Sequence, residues 1–228
     1  MRDTAASTRP GMDLNRIPGY RPSLADEAYA TIVEAVLNRQ IELGDALIMD
    51  QLAELLDISR TPVRDALMRL EHEGLVEQRG RRGYVVREIG DDEVIKLYQA
   101  REAVEGHAAR LVAEAGDDEA IDRIEQAIRQ AQASMDGTIV ASYQANRAVH
   151  RSILEAVGNR FMTISFDNIW GVSVAAVAYG RLYEPKVDDH DLVADHARLV
   201  VAIRGGDGDR AAAEAITHIR DGLEINLS

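Results

Sequence analysis

Apolar residues recur along most of this chain with the three-and-four spacing of helices; only one short stretch alternates as strands do. The first stripe is Ala25, Ala28, Tyr29, Ile32, Val36 and Leu37. It predicts a helix from Leu24 to about Ile41, with Ser23 as its N-cap. Leu43-Gly44-Asp45 then turns the chain. A short helix is predicted over about Asp50–Leu56, and a longer one, capped by Ser59, runs to about Glu73. Gly74 suits the left-handed position that ends such a helix. Leu52, Leu55, Leu56, Ile58, Val63, Leu67 and Leu70 are read as the small core holding these two helices crossed. Leu75–Gln78 and Gly83–Val86 then read as a β-hairpin, with Arg79-Gly80-Arg81-Arg82 at its tip.

After Gly90 the pattern is helical throughout. Six helices are predicted, over about 91–115, 118–135, 138–157, 161–182, 189–204 and 209–226, with breaks at Gly116-Asp117, Gly158-Asn159, Glu184-Pro185 and Gly205–Gly208. The expected fold is therefore mostly α: a winged helix-turn-helix of three helices plus a β-hairpin, followed by an all-α six-helix bundle. The expected division is a disordered arm over 1–22, where Pro10, Gly11, Pro18, Gly19 and Pro22 interrupt any element, a winged-helix domain over 23–88, and a helical domain over 89–228.

Charge sharpens this division. The net charge of -13 argues against a polyanionic partner for the whole molecule. Its distribution does not: residues 1–87 carry 12 basic and 14 acidic side chains, residues 88–228 carry 14 and 25, and residues 58–87 hold seven arginines against four acids. A local cationic face is what DNA binding needs. There is no cysteine, so disulfides and thiolate metal sites are excluded and a cytoplasmic location is expected. Residues 1–20 lack the apolar core of a signal peptide, and no run approaches a membrane span, so no membrane partner is expected.

Arg60, Thr61 and Arg64 lie at the exposed start of the second helix of the helix-turn-helix. That end enters the major groove, where arginine can pair with guanine O6 and N7. Arg81 and Arg82 at the hairpin tip are placed to reach the DNA backbone or minor groove. In the helical part, Asn146 and His150 share a face that continues through Ile153, Leu154 and Val157. His196 shares a stripe with Leu199, Val200 and Ile203, and His218 one with Ala211, Ala215 and Gly222. Three imidazoles from three helices thus point inward, beside small residues that leave space. That pattern fits a divalent metal site in a bundle, or equally three separately satisfied core histidines.

The stretch from Gly44 to Val86 resembles the winged helix of the GntR family of bacterial transcription regulators. The resemblance is carried by Leu52-Ala53, then Ser59-Arg60-Thr61-Pro62-Val63-Arg64-Asp65-Ala66-Leu67, then Arg69-Leu70-Glu71 and Glu73-Gly74-Leu75-Val76. It departs from the family at Asp57, where the turn usually has glycine, and at Asp50, where a DNA-contacting arginine is common. Beyond it, Arg101–Glu105, Asn146–His150, Gly158-Asn159, Asp195-His196 and His218 resemble the FCD effector domain of the FadR-like branch. The resemblance implies that Arg60, Thr61 and Arg64, with the wing, contact double-stranded operator DNA as a homodimer. It implies a metal held by His150, His196 and His218, with Asn146 where a carboxylate is usual. Imidazole donors suit Zn2+ or Ni2+. Such a centre would retain positive charge and favour a small organic acid effector, with Arg101 the candidate to grip its carboxylate. The alternative is a metal-dependent hydrolase with a DNA-binding appendage, though no residue stands out as its general base.

Overall fold

The computed structural model describes residues 22–80, 83–171, 173–182 and 191–227. The expected arm, apart from Pro22, and both wing-tip arginines, Arg81 and Arg82, lie outside the described residues.

Helix α1 (Leu24–Leu37) starts with a capping box, in which the Ser23 hydroxyl accepts from the Asp26 backbone and the Asp26 carboxylate accepts from the Ser23 backbone. It ends four residues before Ile41, because Arg39 takes a left-handed conformation (φ 55°). Strand β1 (Ala46–Ile48) leads directly into α2 (Met49–Leu55), and α3 (Arg60–His72) follows. Asp57 turns the chain between α2 and α3 with φ 51°, adopting the backbone that the family's glycine would take more cheaply. Strands β2 (Val76–Arg79) and β3 (Gly83–Val86) form the expected hairpin. The addition is β1, too short to show alternation, which pairs antiparallel with β3 through Leu47 and Tyr84 and makes a sheet of order β1-β3-β2.

Ile32, Val63, Leu67, Leu70, Leu75 and Val86 are buried where α1, α3 and the sheet meet. Leu55 is not among them. It is 80% exposed, because Leu52, Ala53, Leu56 and Ile58 already occupy the inward side of this short helix and the turn after it.

The helical part comprises α4 (Asp91–Ala115), α5 (Asp118–Ser134), α6 (Ile139–Val157), α7 (Arg160–Trp170), α8 (Ser173–Leu182), α9 (Leu192–Arg204) and α10 (Gly208–Leu227). Asp117, Thr138, Asn159 and Asp191 cap their helices with side-chain oxygens. Gly116 and Gly158 end α4 and α6 with positive φ. The described part of the bundle thus has seven helices rather than six, because the one expected over 161–182 bends by 59° between α7 and α8. Helix α4 packs closely on α10 where Gly106 meets Ile216, while α5 packs on α6 and α9. Among the described residues no single helix is long and apolar enough to cross a membrane. The bent α7–α8 pair has the composition for it, yet buries Phe166, Trp170 and Val174 in the protein's own core.

Candidate functional site

Two places carry chemistry. At the first, Arg60, Thr61 and Arg64 are all exposed in the opening turns of α3, while Val63, Ala66, Leu67 and Leu70 on its other side are buried. Ser59 has the extended backbone of an N-cap (φ -71°, ψ 164°), but its hydroxyl makes no capping bond. Two of the expected DNA contacts have acidic neighbours: Arg60 Nε lies 3.0 Å from Asp50 Oδ1, and Arg64 Nη2 lies 3.1 Å from Asp65 Oδ1.

The second place is a cavity of about 280 Å3 among α4, α6, α9 and α10, lined in part by Arg101, Asn146, His150, His196 and His218. Their placement follows from helical spacing: Asn146 and His150 are one turn apart on α6, and both are buried with Val149, Ile153 and Leu154. The structure brings the three histidines together. His150 Nε2 is 3.3 Å from His196 Nε2 and 3.4 Å from His218 Nε2, and the three ligand atoms all lie within 4.8 Å of one another.

The opposite edges of the rings decide what these short separations mean. His150 Nδ1 lies 2.6 Å from the Glu105 carboxylate and His196 Nδ1 lies 2.8 Å from the Leu192 carbonyl. Both oxygens are acceptors, so each Nδ1 carries the proton and, in neutral rings, each Nε2 presents a lone pair. Burial, ahead of any neighbouring charge, pushes the His218 imidazole down to about 2, so that ring is neutral. A dication among them would be the partner for lone pairs that face one another in a buried site. Nitrogens bound tetrahedrally to zinc at about 2.0–2.1 Å lie about 3.4 Å apart. The donor set and its two short separations fit such an ion.

Glu105 is the residue that sequence reasoning left without a role. Its carboxylate takes His150 Nδ1, Arg101 Nε at 2.9 Å and Trp170 Nε1 at 2.8 Å. Burial alone would push its carboxyl up, but the Arg101 guanidinium and His150 hold it well below the usual carboxylate range. Its signal was the four-residue spacing from Arg101, which sets the two on one helix face. The partner on α7 had no such signal. Arg101 itself lines the cavity, stacked 4.8 Å from Tyr98 and 4.3 Å from Trp170. Two of its nitrogens, Nε and Nη2, already face Glu105. Asn146 also lines the cavity and is buried.

Comparison with known proteins covers both ends of the chain. Residues 24–86 match the family model described as bacterial regulatory proteins, gntR family, and residues 96–221 match the FCD domain. The chain is 27% identical over 200 residues to the "Probable D-xylose utilization operon transcriptional repressor" of Paenarthrobacter nicotinovorans, covering 87% of this chain and 86% of that one. It is 25% identical over 203 residues to the HTH-type transcriptional regulator LutR of Bacillus subtilis, covering 81% and 92%. The solved structure of E. coli McbR/YncC shares the fold, with a TM-score of 0.69 at 19% identity over 90% of this chain and 97% of that one. These relatives are transcription regulators and lend no support to the hydrolase alternative. The two matches, which together span most of residues 24–221, place this chain in the GntR family of DNA-binding bacterial transcription regulators.

Proposed function

We propose that this regulator is a cytoplasmic homodimer whose hold on operator DNA is set by a small organic acid bound beside a divalent metal, Zn2+ or Ni2+, in the histidine cavity. Arg60, Thr61 and Arg64 read the operator, with Arg81 and Arg82 of the wing on its backbone or minor groove. His150, His196 and His218 hold the metal. Asn146, on the same face as His150, offers a neutral oxygen to it. The observation that carries the reading is the convergence of three Nε2 atoms whose partner nitrogens, in His150 and His196, already face acceptors.

The chain's own residues prepare the site before any ligand arrives. Glu105 and the Leu192 carbonyl fix the two imidazole tautomers, a role that outer partners commonly play for ligating histidines. A bound dication supplies the positive charge that attracts an anionic ligand. Arg101 adds a guanidinium to the same wall, and with Nε and Nη2 turned to Glu105 its Nη1 is the nitrogen left to meet a carboxylate.

The test is calorimetry on chelator-stripped protein. Wild type is expected to take up about one Zn2+ per chain, and His150→Ala and His196→Ala to lose that uptake. Undiminished uptake in both variants would overturn the metal centre. Asn146→Asp separates ligand from packing residue. An anionic oxygen should bind Zn2+ more tightly and weaken a carboxylate found by thermal-shift screening of small organic acids, so the two affinities move in opposite directions. Unchanged zinc affinity with a large loss of metal-free stability would remove Asn146 from the ligand set.

A further inference from the structure

The bend between α7 and α8 stands between the cavity and the reading helix, and it bonds to both. On the cavity side, the Trp170 indole donates to Glu105, the carboxylate that fixes His150, and packs 5.3 Å from the His150 ring. The Trp170 carbonyl accepts from the Tyr143 hydroxyl. On the other side, the Ser173 backbone N–H donates to Glu73 Oε2 at 2.8 Å. The Tyr29 hydroxyl donates to the same oxygen at 2.6 Å and lies 3.4 Å from the Gly171 carbonyl. Arg69 of α3 completes the cluster: its Nε donates to Glu73 Oε1 at 2.9 Å, and its guanidinium lies 3.7 Å from the Tyr29 ring.

Glu73 is oddly placed for its own helix. It is the C-cap of α3, where the helix dipole disfavours a carboxylate. It sits instead at the favourable end of α8, satisfying the N–H of that helix's first residue. The local sequence does not by itself impose the bend. Gly171 keeps near-helical angles (φ -80°, ψ -10°), and the periodicity over 161–182 is that of one uninterrupted helix. Side chains of the N-terminal part, Tyr29 and Glu73, hold the bent form.

We propose that the α7–α8 bend couples the histidine cavity to the reading helix, with Trp170 and Glu73 as positioning residues at its two ends. A change in how Glu105 is held moves Trp170, Trp170 carries the start of α8, and Ser173 pulls on or releases the C-cap of α3. The zinc arm of the test rests on the metal reading above. Coupling of this kind is reciprocal and needs an element with two arrangements; the second proposed here is α7 and α8 continued as one straight helix.

Hydrogen–deuterium exchange on the full chain tests it, with Zn2+ as the probe. Trp170 is the only tryptophan, so its fluorescence reports zinc arrival in the same sample. In wild type, zinc should change exchange at the amides of residues 69–75 by about twofold or more. In Glu73→Ala, and in the milder Tyr29→Phe should that variant not fold, zinc should still bind while the change at 69–75 shrinks by about half or more. Zinc that binds wild type without altering 69–75, or a change that survives both substitutions, overturns the coupling. Should zinc not bind at all, the metal reading falls and Trp170→Phe decides the coupling alone. Altered exchange at 69–75 on cutting the Trp170–Glu105 bond supports it, and unchanged exchange overturns it.

Discussion

The two ends of this regulator use arginine in opposite ways. Arg60 at the start of α3 is 66% exposed and paired with Asp50, itself 41% exposed. Arg101 at the cavity is 9% exposed and paired with Glu105 at 4%. The distances, 3.0 and 2.9 Å, are nearly equal. Their energetic meanings are not. An exposed pair is screened by water and is worth about 0–1 kcal/mol, so it can be given up when a base or phosphate arrives. A buried pair has already lost its hydration, and its members depend on each other. The surface proposed to read DNA is therefore free to adapt, whereas the cavity is built in advance.

The largest effect should follow from breaking the buried pair. Glu105→Ala leaves Arg101 unpaired in the core and removes the acceptors for His150 and Trp170. Urea unfolding in the presence of chelator should show a loss of about 3–5 kcal/mol. A loss below about 1 kcal/mol would mean that water in the cavity already solvates Arg101, and the contrast between the two ends would fail.

At the exposed end the effect should fall on binding and spare the fold. Arg60→Ala and Arg64→Ala should each cost about 1–3 kcal/mol of affinity for an operator selected from random DNA by the protein itself. Unfolding free energy should stay within about 0.5 kcal/mol of wild type, as for substitutions on an open surface. Full affinity and unchanged sequence preference in both variants would remove α3 as the reader.

What the sequence made legible follows the same divide between local and distant causes. Gly74, Gly116 and Gly158 mark helix ends in the sequence because a left-handed cap is a one-residue requirement, and all three have positive φ. Asp57 was readable for the same reason. The bend at Gly171 was not, because that residue has φ -80°, apolar positions continue through it, and the groups that hold the bend come from Tyr29 and Glu73, 142 and 100 residues away from their partners. At the cavity, Asn146 with His150 and Arg101 with Glu105 were visible as pairs four apart. That Trp170 closes the group around Glu105 depends on how α7 packs, and no spacing encodes it. Leu55 failed because in a seven-residue helix periodicity alone does not say which apolar side faces in.

The smallest effect, and the finest test of the exposed end, concerns Asp50. It stands where the family often has arginine, and here it faces Arg60. Two opposing roles follow from the geometry. Asp50 can lower operator affinity, by repelling phosphates and by occupying a guanidinium that DNA would use. It can also raise it, by holding Arg60 in the pose that reads a base. Exposure decides between them: a pair this open is weak and leaves Arg60 mobile, so repulsion should dominate. Asp50→Asn keeps the side chain's shape and its oxygen but removes the charge. The helix-start charge on α2 is lost with it, at a cost of about 0.3–1 kcal/mol of stability. Operator affinity should rise by up to about fivefold at low salt, with the gain shrinking as salt screens the phosphates. Fluorescence anisotropy over a salt series measures this directly. A fall in affinity together with looser sequence preference would show instead that Asp50 positions Arg60, and that even the exposed end is partly built in advance.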